Sequence, residues 1–100
     1  MQLKNARILL TGASGGLGHE LASQLSTAGA ALLLAGRDER RLNEVRAALP
    51  EEAAVVVADL TSTDGIARTA RAAEQFRANV LINNAGAGAF GLLENQQIGR

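Results

Sequence analysis

Short apolar runs alternate along this chain with longer stretches in which apolar residues recur every three or four positions. That alternation predicts repeated βαβ units around a parallel sheet. The runs at residues 6–10, 31–35, 53–57 and 80–83 read as strands. Their near-continuous apolar character suits strands covered by helices on both faces. Between them, residues 17–28 predict a first helix with Leu17, Leu21, Leu25 and Ala28 on one stripe toward the sheet, stopped by Gly29. A second helix, from Asp38 or Glu39 to Leu49, turns Leu42, Val45 and Leu49 inward and ends at Pro50. The third, capped by Thr61 or Ser62 and running to Phe76, places Ile66, Thr69, Ala70, Ala73 and Phe76 inward, with Gly65 weakening its first turns. After Asn84 the chain turns glycine-rich at Gly86, Gly88 and Gly91, where a further helix should begin.

One hundred residues suffice for one small domain but not for separate cofactor and substrate halves. Ten basic and ten acidic residues cancel, with no basic patch to suggest nucleic acid or an anionic membrane surface. Cysteine is absent, which excludes disulfides and thiol catalysis and fits a reducing compartment. No metal-ligand cluster is visible. No apolar run approaches the roughly 20 residues that span a bilayer, so a cytoplasmic protein is expected.

Candidate chemistry concentrates in residues 11–18, Thr-Gly-Ala-Ser-Gly-Gly-Leu-Gly, between the first strand and the first helix. Glycines there let backbone N–H groups approach an anion, and the helix adds its positive N-terminal end. Gly12 suits the tight exit from the strand, Gly16 close approach to a pyrophosphate, and Gly18 close packing of helix on strand. Ser14 stands where the G-x-G-x-x-G fingerprint has its second glycine, and no lysine follows to make a triphosphate loop. By residue type alone, Asn83 and Asn84 suit a strand end as well as a ligand contact, and Asp59 suits a turn or cap. His19, the sole histidine, has no second ligand nearby in sequence and reads as solvated.

Thr11, Gly12, Gly16 and Gly18 resemble the Thr-Gly-x-x-x-Gly-x-Gly cofactor turn of short-chain dehydrogenases/reductases. Asn83, Asn84, Ala85 and Gly86 reproduce that family's Asn-Asn-Ala-Gly signature, and Asp59-Leu60 its aspartate after strand three. The resemblance implies an α/β, Rossmann-like doubly wound parallel sheet with strand order 3-2-1-4 and helices on both faces. It further implies an oxidoreductase that transfers hydride between a nicotinamide dinucleotide and a carbonyl or alcohol. The expected cofactor contacts are Gly12, Ser14, Gly15, Gly16, Leu17, Gly18, Arg37, Asp59, Leu60, Asn84, Ala85 and Gly86, with Asp59 accepting from the adenine amino group. Arg37, just after strand two, favours NADP over NAD, because a guanidinium can pair with the 2′-phosphate.

The family's catalytic tyrosine and lysine have no counterpart: tyrosine is absent and the sole lysine is Lys4. No catalytic residue is assigned, and the chain alone is expected to be inert. Residues 1–100 are accordingly expected to be the N-terminal part of a longer NAD(P)-binding domain, ending before the strand that would cover strand four. Expected partners are the dinucleotide, a small-molecule substrate and further copies of the chain. A non-catalytic dinucleotide sensor or interaction module is the alternative. Gly12, Gly15 and Gly18 also satisfy the Thr-Gly-x-x-Gly-x-x-Gly of sugar-nucleotide epimerases, against which Asn83 to Gly86 and Gly36-Arg37 argue.

Overall fold

The structure, a computed structural model, describes residues 3–84. Four parallel strands, β1 (Arg7–Thr11), β2 (Ala31–Gly36), β3 (Ala53–Val57) and β4 (Val80–Asn83), lie in the order β3-β2-β1-β4. Three helices connect them, α1 (Gly16–Thr27), α2 (Glu39–Ala47) and α3 (Thr63–Phe76). The expected strand order and layering are therefore present.

Period-two alternation divides the strand side chains between two cores. Ile8, Leu10, Leu32 and Leu34 pack with Ala22 and Leu25 of α1 and Leu42 and Val45 of α2. Leu9, Leu33, Ala35 and Val56 pack on the other face with Phe76 of α3. Both faces of the two central strands are thus apolar, which is why their sequences read as unbroken hydrophobic runs.

The helices depart from expectation in three places. In α1 the buried residues are Gly18, Ala22, Leu25 and Ser26, while Leu17 is 72% exposed and Ala28 lies on the surface. Small residues at 18 and 22 let the helix approach the sheet more closely than a leucine stripe would, and the buried face rotates accordingly. Helix α2 ends at Ala47, because Ala48 and Leu49 close with i→i−3 bonds to Val45 and Arg46 and Pro50 disfavours helical backbone at Leu49. In α3, Gly65, Thr69 and Phe76 are buried while Ala70 is exposed.

At the amino-terminal edge of the sheet, Arg7 gathers three elements. Its Nε donates to the Phe76 carbonyl at 2.7 Å, its guanidinium pairs with Glu52 at 3.3 Å, and it lies 4.2 Å from the Phe76 ring centroid. This clamp holds the end of α3 to β1, so the start of α3 reaches the opposite edge of the sheet. No helix among the described residues is long and apolar enough to cross a membrane.

Candidate functional site

Parallel pairing brings the carboxyl ends of all four strands to one edge, where open α/β sheets place their ligands. A cleft of about 730 Å³ opens there, lined by Gly12, Ser14 and Gly15 from the first turn, Gly36 and Arg37 from the end of β2, and Asp59, Leu60 and Thr61 after β3. Asp38 and Glu39 complete its wall beside Arg37. Six of the expected contact residues thus meet in one space.

The remaining ones occupy other positions. Gly16 is the first residue of α1, and a Cβ built on it meets nothing within 4 Å among the described residues outside its own helix backbone and chain neighbours. Gly18 lies behind the turn: its Cβ would strike the Gly12 carbonyl oxygen and lie 2.8 Å from Ala13 Cα. Gly12 itself has φ 68, the left-handed backbone that makes the exit from β1 tight. Leu17 projects from the helix start into solvent. Asn84 is not among the cleft-lining residues. Its Nδ2 donates to the Gly12 carbonyl at 3.3 Å and its backbone N–H to Thr11 Oγ1 at 3.1 Å, so it braces the turn from behind. Ala85 and Gly86 lie outside the described residues.

Thr11 is the hub of that brace. It is fully buried, level with Ala35 of β2 and Asn83 of β4, and its Oγ1 lies 2.7 Å from Asn83 Oδ1. A hydroxyl can donate once and accept twice, so one side chain ties both asparagines to the strand that carries the glycines.

The three helix starts differ. Asp38 caps α2 through the Arg41 N–H at 3.1 Å, and Ser62 caps α3 through the Gly65 N–H at 2.9 Å. Helix α1 has Gly15 as its N-cap, no side-chain cap and no acidic residue in its first turn. Its leading N–H groups have no acceptor among the described residues, since the first helical bond there is His19 N–H to Gly15 O. The orphan donors and positive dipole end of α1 are therefore turned toward the cleft edge uncompensated.

Asp59 is held by a residue whose type alone suggests only a helix cap. Thr61 donates to Asp59 Oδ1 twice, from its backbone N–H at 2.9 Å and its hydroxyl at 2.6 Å. Asp-x-Thr is the local spacing of a side-chain-to-backbone turn and is the sequence signal that points to this grip. Those two bonds, and then the positive charge of Arg37, hold the carboxyl below the usual carboxylate range. A depressed folded value means a stabilising contribution complete above the unfolded value and lost as pH falls through the folded one. Asp59 is accordingly expected to titrate below an ordinary aspartate in a carboxyl-carbon NMR titration, and Thr61→Val to raise it; an unchanged value in the variant would refute the Thr61 grip.

Gly36 sets Ser14: a Cβ at Gly36 would lie 3.1 Å from Ser14 Oγ and 3.4 Å from Leu42 Cδ2. The end of β2 is therefore packed tightly against the glycine turn, and Arg37 emerges next to it without an ion pair among the described residues.

Residues 6–99 match the short chain dehydrogenase family. An uncharacterized oxidoreductase of Staphylococcus epidermidis is 38% identical over 87 residues, covering 85% of this chain and 38% of that protein. Among solved structures, a 3-ketoacyl-(acyl-carrier-protein) reductase from Brucella melitensis complexed with NADH superposes with a TM-score of 0.73 at 25% identity, over 79% of this chain and 34% of the other. An NADH-dependent reductase complexed with NAD gives a TM-score of 0.65 at 32% identity, over 81% of this chain and 36% of the other. The chain spans well under half the length of these relatives. Because the family match runs from the start of the sheet almost to Arg100, on a fold shared with the solved structures, this chain belongs to the short chain dehydrogenase family.

Proposed function

We propose that this chain is the cofactor-binding part of an NADP-dependent oxidoreductase that moves hydride between NADP(H) and a carbonyl or alcohol substrate. The observation that carries this reading is the placement of Arg37 in the same cleft as the glycine turn and Asp59. A dinucleotide needs a place for its pyrophosphate, its adenine and, if phosphorylated, its 2′-phosphate. The cleft and the helix start beside it offer one chemistry for each.

The uncapped start of α1, with open space above Gly16, fits the pyrophosphate. In this reading Gly12, Ser14, Gly15 and Gly16 bring backbone close to it, Gly18 seats the helix, and Leu17, exposed at the helix start, is a further contact. Asp59 accepts from the adenine amino group with Leu60 against the ring. Asn84 supports the glycine turn from the strand-four side through its bonds to Thr11 and Gly12. The bound cofactor supplies the hydride chemistry; the residues described here bind and orient it.

Arg37 selects the phosphorylated form by bidentate pairing with the 2′-phosphate. The NADH and NAD in the two solved relatives belong to those proteins. A tyrosine-free chain whose only lysine precedes β1 is expected to bind cofactor without turning it over. A small-molecule substrate, a homo-oligomer and a reducing, cytoplasmic setting complete the reading, the last supported by the cysteine-free composition.

Titration of the chain with NADP and NAD tests this. The wild type is expected to prefer NADP, and Arg37→Glu to reverse the preference by about tenfold or more, because it removes a charge-assisted pair and adds repulsion. An unchanged ratio of affinities would remove the NADP assignment, and no binding of either would remove the cofactor reading.

A further inference from the structure

Gly65 stands out because nothing at the sequence level calls for it. Its backbone is ordinary helix in the first turn of α3, where glycine is a poor helix former. A Cβ on it would coincide with the Asp59 carbonyl oxygen, and would lie 2.6 Å from the Asp59 carbonyl carbon and 2.9 Å from Ser62 Oγ. The helix therefore rests directly on the peptide group that follows Asp59.

The carbonyl of that peptide group is held twice by Ser62. The Asp59 carbonyl accepts from the Ser62 N–H at 3.1 Å and from the Ser62 hydroxyl at 3.0 Å. The same hydroxyl accepts from the Gly65 N–H at 2.9 Å. The buried Thr69 hydroxyl donates to the Gly65 carbonyl at 2.9 Å, and Arg68 Nη1 to the Val57 carbonyl at 3.1 Å. Ser62 and Arg68 thus tie the start of α3 to the end of β3 and the turn after it, which opposes its retreat. An added methyl group must turn the Asp59–Leu60 peptide instead, and that motion carries the Thr61 N–H and hydroxyl away from the Asp59 carboxylate.

We infer that Gly65 is a positioning residue for adenine recognition: its missing side chain lets α3 lock the turn that aims the Asp59 carboxylate. It touches no ligand and acts through Asp59 and Thr61. The inference rests on the cofactor reading above and extends it to a residue outside the cleft wall.

The experiment compares NADP with its hypoxanthine counterpart, in which an oxygen replaces the adenine 6-amino group that a carboxylate would accept from. Wild-type chain is expected to bind NADP about tenfold more tightly, the worth of a hydrogen bond to a charged group. In Gly65→Ala that discrimination should disappear, with affinity for the hypoxanthine dinucleotide little changed and the circular dichroism spectrum native. A wild type that binds both dinucleotides equally overturns the adenine role of Asp59 and this inference with it. A discriminating wild type beside a folded, equally discriminating Gly65→Ala leaves the cofactor reading standing and overturns the role of Gly65 alone. Should Gly65→Ala not fold, Ser62→Ala takes its place, removing the hydroxyl that bridges Gly65 and Asp59 while adding no atom. Lost discrimination in that variant supports the inference, and retained discrimination overturns it.

Discussion

Gly18→Ala is expected to destabilise the chain by about 3 kcal/mol and to abolish dinucleotide binding, since overpacking against backbone has no rotamer through which to relax. The Cβ would strike the Gly12 carbonyl oxygen and crowd Ala13 Cα at 2.8 Å, so α1 has to lift away from the turn that it seats. Stabilities of single domains are themselves only about 5–15 kcal/mol, so such a loss is a large share of the total. Gly16→Ala makes the informative contrast. Among the described residues its methyl group meets no atom within 4 Å beyond its chain neighbours and helix backbone, and alanine is the better helix former, so the fold should be unharmed or slightly stabilised. Affinity for the dinucleotide should nevertheless fall about tenfold or more, because the methyl group occupies the space offered to the pyrophosphate. Urea unfolding and cofactor titration of the two variants measure both effects. Gly16→Ala with undiminished affinity would show that the pyrophosphate does not approach the helix start.

Thr11→Val should cost about 1–2 kcal/mol, although the two side chains have nearly the same shape, because the half-buried asparagine groups facing Thr11 lose a hydrogen-bond partner. Thr11 Oγ1 is the acceptor for the Asn84 N–H and lies 2.7 Å from Asn83 Oδ1. Valine satisfies neither, and the link between β1 and β4 at the site edge is lost. Thr11→Ser keeps the hydroxyl and should recover most of the stability. The comparison is made by denaturant midpoints at constant m-value. A Thr11→Val chain within about 0.5 kcal/mol of wild type, the range of a neutral surface substitution, would show that the brace is unimportant.

Much of this site is legible in the order of the residues. Short apolar runs separated by helix-period stretches are a local consequence of strands buried on both faces, and they locate all four strands to within a residue or two. Gly12 and Arg37 directly follow strands and Asp59 comes two residues after one, so their placement follows from where each run ends, while Gly16 and Gly18 open the helix that comes next. The rotation of α1 is not legible in this way. Leu17, Leu21, Leu25 and Ala28 form a plausible apolar stripe, but the hydrophobic pattern counts only apolar bulk. The sheet instead receives Gly18 and Ala22, whose value lies in being small, and Leu17 is left in solvent. A similar reason hides Gly65, which reads as a weak point in a helix until the Asp59 carbonyl is seen beneath it. Thr61 and Ser62 are both candidate caps by residue type; only Ser62 caps α3, while Thr61 turns back to Asp59.

By itself, then, the sequence determined the element order, the layering of the sheet and the strand ends at which the expected contact residues gather, because strand and helix periods and glycine turns are properties of neighbouring residues. Tertiary structure decided how that edge is held rigid. Thr11 meets Asn83 across 72 positions, and Arg7 reaches Phe76 across 69. Such contacts depend on strand register and on how closely a helix approaches its sheet, distances set by the packing of the whole domain, which a residue's neighbours in sequence do not encode.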